Sequence, residues 1–231
     1  MMRLHYLQHV SFEGLGNIEN WAKENDHIIS RTLLFNNDKL PPITDFDWLI
    51  ILGGPMNVYD EKKYPWLINE KKFIMKAISN NKVVLGICLG AQLISDVLGS
   101  RVFQNVYSEI GWYPVSLTPD ASSSSICKLP QRFMAFHWHG DTFELPPGCK
   151  KIAETEGCKN QAFEYNNKVV GLQFHLDSTI ESIELLIKNC SEDMIEGKYT
   201  QTSDEILSRK THVKEISNLM NLFLDNIFKS R

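Results

Sequence analysis

The chain has little of what marks several large classes of protein. Positive charge is not in excess: 24 Lys and Arg stand against 28 Asp and Glu, a formal charge of −4. The phosphate neutralisation that dominates nucleic-acid affinity is therefore missing, and no nucleic-acid partner is expected. Apolar runs are short; Trp48 to Leu52 and Val83 to Ile87 reach five residues, against the roughly 20 that cross a bilayer. No membrane partner is expected either. Met1 to Phe12 is interrupted by Arg3, His5, Gln8 and His9 where a secretory leader carries an unbroken apolar core, so the expected location is cytoplasmic. The five cysteines, Cys88, Cys127, Cys149, Cys158 and Cys190, are odd in number and nowhere spaced C-x-x-C. That argues against a disulfide framework and a zinc knuckle, and leaves reduced thiols. No G-x-x-x-x-G-K-[ST] phosphate loop occurs, so the chain does not activate an acceptor by itself.

What is present is ordinary globular material. With 231 residues, 43% apolar and 23% charged, the chain can bury a core without covalent staples. Arg3 to Gln8 reads as a strand, Ile18 to Lys23 as helix, His27 to Leu34 as a second strand, and Asp47 to Leu52 as a third that ends on the breaker Gly53-Gly54-Pro55. Leu67 to Ser79 carries a helical stripe of Leu67, Ile68, Phe73, Ile74, Ala77 and Ile78, with Glu70, Lys71, Lys72 and Lys76 assigned to the polar face. Val83 to Ile87 is a doubly buried strand and Leu89 to Leu98 a helix starting directly after it. Strand, helix, strand in this order implies an α/β fold with a mostly parallel sheet and helices on both faces.

Beyond Val102 short strands are expected: Tyr113 to Leu117, Arg132 to His137, Lys151 to Glu154, and a hairpin of Gln161 to Tyr165 with Lys168 to His175 around Asn166-Asn167. These form a smaller antiparallel portion. Ile180 to Met194 and His212 to Phe228 are amphipathic and helical, the second presenting its apolar stripe to the core of the same chain. With no repeat and no linker, residues 1–231 read as one domain.

Chemistry concentrates at Gly86-Ile87-Cys88-Leu89-Gly90. A residue at a sharp strand-to-helix turn is pushed outward at the top of a sheet, and flanking glycines permit the turn. The helix start favours thiolate over thiol, so Cys88 is a candidate nucleophile rather than a small core filler. A nucleophile needs a base, and the base an orienting group. His175, at the end of a strand, supplies the base, and Asp177, two residues on, the orienting group. His137-x-His139 has no further ligands at metal-site spacing, Glu109 reads as a solvated carboxylate, and Arg209, Lys210 and Lys214 as a solvated helix face.

Four segments, Gly53-Gly54-Pro55, Gly86-Ile87-Cys88-Leu89-Gly90-Ala91-Gln92, His139-Gly140-Asp141 and Gly171-Leu172-Gln173-Phe174-His175, resemble in order and spacing a class I glutamine amidotransferase domain. The resemblance spans about Leu4 to Glu181, with residues 182–231 as a helical extension, and is nearest the stand-alone branch that looks like the glutaminase part of GMP synthase. It implies a flavodoxin-like sheet, no cofactor and no metal, and a Cys-His-acid triad that takes ammonia from glutamine through a γ-glutamyl thioester. It gives Cys88 as nucleophile, His175 as acid and base, and Asp177 as the orienting acid. Gly54 and Leu89 match the oxyanion-hole positions, Gln92 a glutamine-binding position, and Trp138, Gly140 and Asp141 a loop that holds the amino-acid end of the substrate. The chain departs from the family pattern at His175-Leu176-Asp177, where His-Pro-Glu is usual; Glu181, four residues on, is the other acid within reach. Met56 and Trp138 replace smaller residues of relatives, which implies a narrower pocket and a changed hold on the α-carboxylate.

The expected function is thus a glutaminase acting on a small molecule, with a separate synthase subunit receiving the ammonia if it is passed on. A γ-glutamyl peptidase or hydrolase with the same triad is the alternative. A non-catalytic regulatory module is disfavoured by the presence of both Cys88 and His175.

Overall fold

The computed structural model describes residues 1–229. Strands β1 (Arg3–Gln8), β2 (Ile28–Leu33), β3 (Trp48–Ile51) and β4 (Val83–Ile87) are interleaved with helices α1 (Asn17–Glu24) after β1, α2 (Trp66–Ser79) after β3 and α3 (Leu89–Val97) after β4, two short 3-10 turns joining β2 to β3. There follow β5 (Val102–Leu117), β6 (Arg132–Phe143), β7 (Lys150–Glu154), β8 (Ala162–Tyr165) and β9 (Val169–Leu172). Helices α4 (Ile180–Asn189), α5 (Ser203–Ser208) and α6 (Thr211–Lys229) complete the chain. The strands form one sheet in the order β2-β1-β3-β4-β9-β8-β7-β5-β6. The first five in that order are parallel, which is the 2-1-3-4-5 winding of flavodoxin-like folds. From β9 outward the pairing is antiparallel.

Successive side chains on the parallel strands point to opposite faces, so the core divides in two. Leu4, Trp48, Ile50 and Leu85 pack with Ile18 and Trp21 of α1 and with Met220 and Phe223 of α6. Leu7, Leu49, Ile51 and Val84 pack with Phe73 and Ile74 of α2 and with Leu93 and Ile94 of α3. Strand order reverses between β1 and β3, and the crevice beyond the carboxyl ends of such strands is where open α/β sheets take ligands. Among the described residues, no helix is long and apolar enough to cross a membrane.

Several expectations require correction. β5 is one strand of 16 residues, where only Tyr113 to Leu117 was expected. Its register against β6 slips between Gln104 and Glu109, so the alternation that marks a strand is broken at a bulge. β6 likewise runs on to Phe143. β9 stops at Leu172, short of the expected His175, because Phe136 and His175 exchange backbone hydrogen bonds across an isolated bridge. α4 ends at Asn189 instead of Met194, followed by a turn over Ser191–Asp193, and the short α5 has too few residues to show a period. Glu70, assigned above to the polar face of α2, is wholly buried. It lies three residues after Leu67 and four before Ile74, inside the apolar stripe, and helical spacing carries it inward with them.

Candidate active site

Cys88 forms the whole junction between β4 and α3, with φ 51° and ψ −109°. A side-chain-bearing residue seldom takes a positive φ, and such strain collects at functional turns. The turn is tight because α3 lies close over the strands: a Cβ on Gly86 would collide with the Gly90 carbonyl, and one on Gly90 with the Ile51 carbonyl. The Cys88 N–H donates to the Leu172 carbonyl of neighbouring β9 at 2.8 Å. Its Sγ lies 3.5 Å from the Trp138 carbonyl oxygen and 3.6 Å from Gln173 Nε2.

His175 follows β9, the strand next to β4, and the bridge to Phe136 fixes its backbone. Its Nδ1–H donates to Asp177 Oδ1 at 3.1 Å. Burial works against the imidazolium, but the charge and hydrogen bond of Asp177, joined by the Cys88 sulfur, outweigh it and hold His175 well above the usual histidine range. The segment is pinned from α1, where the Asn17 backbone N–H donates to the Asp177 carbonyl at 2.7 Å and its side chain donates to the Leu176 and Ser178 carbonyls at 3.1 and 3.0 Å. Glu181 is exposed in the first turn of α4. Hydrogen bonds from its own backbone and the Thr179 side chain hold its carboxyl below the usual range. Asp177 is thus the acid that meets the imidazole.

Cys88 and His175 line one cavity of about 330 Å³, together with Gly54, Gln92, Trp138, Gly140 and Asp141. Asp177 stands behind His175, and Leu89 opens α3, where first-turn N–H groups have no helical partner. Trp138, Gly140 and Asp141 do not form the expected loop; they belong to β6 and its pairing with β5. Gln92 Nε2 donates to Gln173 Oε1 at 3.1 Å, Tyr59 OH to Asp141 Oδ2 at 3.1 Å, and Trp138 Nε1 to Asp193 Oδ2 at 3.1 Å. Met56 lines the cavity beside Gly54.

Residues 16–191 match the glutamine amidotransferase class-I family. The chain belongs to that family. It is 35% identical over 202 residues to a glutamine amidotransferase-like protein, YfeJ, of Salmonella typhimurium, across 85% of this chain and 84% of that one. The structure of a glutamine amidotransferase from Thermotoga maritima superposes with a TM-score of 0.89 at 30% identity, covering 98% of this chain and 97% of its own. A glutamine-hydrolyzing GMP synthase component from Picrophilus torridus is 29% identical over 67% of this chain and 80% of its own length.

The amidotransferase cavity also holds residues that sequence patterns did not single out. Glu13, from the loop after β1, lines it with His175. A Cβ on Gly53 would collide with Glu13 Oε2 and lie 3.6 Å from His175 Cε1. Burial lifts the Glu13 carboxyl to about 7 against the opposing charges of His175 and His9. Nothing in the local pattern Phe12-Glu13-Gly14 announces this. Glu109 is not the solvated carboxylate expected above: it is fully buried in β5 and receives hydrogen bonds from His139 Nε2 at 3.1 Å, from Thr155 Oγ1 at 2.7 Å and from the Gln161 side-chain amide. Glu109, His139 and Cys158 offer three buried ligand atoms within 4.8 Å of one another. These atoms are already engaged, Cys158 Sγ with Thr142 Oγ1 at 3.2 Å, and burial raises the Cys158 thiol so that it stays protonated. The group acts as a hydrogen-bonded brace between β5, β6 and the 155–161 turn.

Proposed function

We propose that this protein is a glutaminase-type hydrolase that cleaves the γ-amide of glutamine through a thioester on Cys88. The observation that carries it is the meeting on one cavity wall of a sulfur on a strained turn and an imidazole backed by a carboxylate, delivered by strands that are neighbours in the sheet. The Cys88 sulfur adds to the amide carbon, and the carbonyl electron pair moves to oxygen. N–H groups of Gly54 and Leu89 receive that oxyanion; loss of one such donor typically costs about 10²–10³ in rate. His175 gives its proton to the departing nitrogen, ammonia leaves, and a thioester remains. Water, losing its proton to His175, then releases glutamate and returns the sulfur. Asp177 keeps the His175 ring in the tautomer and orientation this exchange needs. Gln92, Trp138, Gly140 and Asp141 hold the amino-acid end of the substrate.

A γ-glutamyl peptidase with the same triad is the second candidate, favoured by one feature. The cavity that holds Cys88 and His175 is also lined by Cys190, Glu192, Asp193 and Ile195, more wall than the γ-amide alone would occupy. For glutamine itself, ammonia destined for synthesis needs a separate synthase, a role supported by the similarity to the GMP synthase component of Picrophilus torridus. A working thiol nucleophile also fits a reducing compartment such as the cytoplasm. The deciding experiment incubates the protein with glutamine and with γ-glutamyl dipeptides and follows ammonia and glutamate, with Cys88→Ala as control. Release from glutamine supports the glutaminase; release from peptides alone transfers the assignment to the peptidase; no turnover of any of them overturns both.

A further inference from the structure

Behind the Gly53–Gly54 turn lies a second imidazole–carboxylate pair that takes no part in the cavity wall. His9, the first residue after β1, is 0% exposed, as is Glu70 of α2. His9 Nδ1 is 2.9 Å from the Gly53 carbonyl oxygen and Nε2 is 2.9 Å from Glu70 Oε1. A carbonyl oxygen can only accept, so Nδ1 carries a proton and donates it. Trp66, one turn before Glu70 on α2, rests its ring on the imidazole at 5.5 Å between centroids.

The turn needs something to hold it. A Cβ on Gly53 would strike the Glu13 carboxylate, and one on Gly54 would approach His9 Cβ and Met56 Sδ to 3.0 Å. Both positions are therefore glycine, and two successive glycines leave the peptide between them freest to turn over. That peptide is trans, since no cis bond occurs among the described residues. In a trans unit the carbonyl of one residue and the N–H of the next lie in one rigid plane and point in opposite directions within it. Gripping the Gly53 oxygen from the His9 side sends the Gly54 N–H the other way, toward the cavity that Gly54 lines.

We infer that Glu70 and His9 are positioning residues that clamp the Gly53–Gly54 peptide with its N–H aimed at the oxyanion, so that the hole stands formed without a partner chain. The inference rests on the hydrolase mechanism proposed above and adds how that mechanism is kept ready. Electrostatics agree with it. Burial opposes a charged His9, yet the charge and hydrogen bond of Glu70, the Gly53 carbonyl and the charge of Glu13 together raise it above the usual histidine range. A charged donor makes the stronger bond to the carbonyl.

Two substitutions separate a clamp from a passive buried pair. The amide nitrogen of Asn falls where Nδ1 does and can still reach the Gly53 oxygen; that of Gln falls at Nε2 and cannot. His9→Gln is expected to lower kcat about 10²-fold, the scale of one lost oxyanion donor, with KM unchanged, while His9→Asn recovers most of the rate. Affinity for glutamate γ-semialdehyde, whose adduct with Cys88 places an oxygen in the hole, falls in parallel with kcat. Reaction of Cys88 with methyl methanethiosulfonate, which attaches a methylthio group by expelling methanesulfinate and passes through no tetrahedral oxyanion at carbon, is unchanged. Equal losses in the two variants, or a matching loss in the methanethiosulfonate reaction, would overturn the clamp. If neither variant folds, nitrogen NMR of wild-type His9 near neutral pH decides: a protonated Nδ1 is expected, and a bare Nδ1 overturns the inference. Absence of wild-type turnover on any γ-glutamyl substrate removes the hydrolase mechanism and the clamp together, whereas an active wild type with a fully active His9→Gln removes the clamp alone.

Discussion

The Gly53–Gly54 turn sits between two imidazole–carboxylate pairs with the same chemistry and different surroundings. His175 and Asp177 meet at 3.1 Å with 5% and 12% of their side chains exposed, at the edge of a cavity. His9 and Glu70 meet at 2.9 Å with none. An imidazole that borders a cavity can trade its proton with a bound molecule, and its basicity becomes part of a reaction. A sealed one has no such exchange open to it and acts through its charge and the direction of its hydrogen bonds. On the mechanism and the clamp proposed above, exposure to the cavity separates a histidine–carboxylate pair that moves protons from one that holds a shape.

The contrast can be broken or sharpened in stages. The largest effect is expected at the open pair: Asp177→Asn should lower kcat by about 10³–10⁴-fold, as when a triad carboxylate loses its charge, while circular dichroism stays that of the wild type. Glu181→Gln in the same assay should leave the rate unchanged, and a reversed result would move the orienting role to Glu181. Next comes the sealed pair, where the damage should be to stability. Glu70 Oε2 is buried with no hydrogen-bond partner among the described residues, so His9 is the neighbour that compensates its charge. His9→Leu, which leaves that carboxylate buried and uncompensated, should cost about 3–5 kcal/mol in urea unfolding. Asp177→Asn should cost far less, and equal losses would erase the distinction between the pairs.

Acidity gives a smaller and more graded test. His9 and His175 are both raised in the folded chain, so the folded state holds their protons more tightly than the unfolded state does. Their stabilising contribution is full below the unfolded histidine value, about 6.5, and fades as pH rises through the folded values. Melting temperature should therefore fall on the alkaline side, and His9→Gln should flatten the fall. Glu13 acts on the acidic side of neutrality: a carboxyl raised from 4.5 to about 7 favours the folded state when protonated and loses that advantage as pH rises across this interval. Glu13→Gln should remove this part of the slope, and a melting profile identical to wild type would discount the burial of its charge.

Legibility in the sequence followed how local the determining physics was. β3 and β4 are short apolar runs, the first ended by Gly53-Gly54-Pro55, and Val83 to Ile87 followed at once by a helical stripe made the turn at Cys88 visible in the letters. The pairing of His175 with Cys88 came from the need for a base and from the resemblance, both residues sitting just past apolar runs; that these runs become adjacent parallel strands is shown by the structure, since the letters marked the second run only as an arm of a hairpin. β5 was missed across Val102 to Trp112 because its bulge breaks the alternation and its central residues are polar. Glu70 was misassigned by giving charge more weight than spacing, although its helical position already lay among Leu67, Ile74 and Ala77. His9 and Glu13 carry no periodic mark. Their importance comes from the topology, which brings the loops after β1 and β3 to the one crevice where strand order reverses.

β4 and β9 are neighbours in the sheet, paired Gly86 with Gly171 and Ile87 with Leu172, yet the whole antiparallel wing is synthesised between them. A polypeptide emerging from the ribosome therefore carries its sulfur long before it carries the imidazole. On the proposed mechanism no turnover is expected until the final parallel strand slides into its slot, and recovery of turnover during refolding should report completion of the entire sheet rather than any early collapsed form.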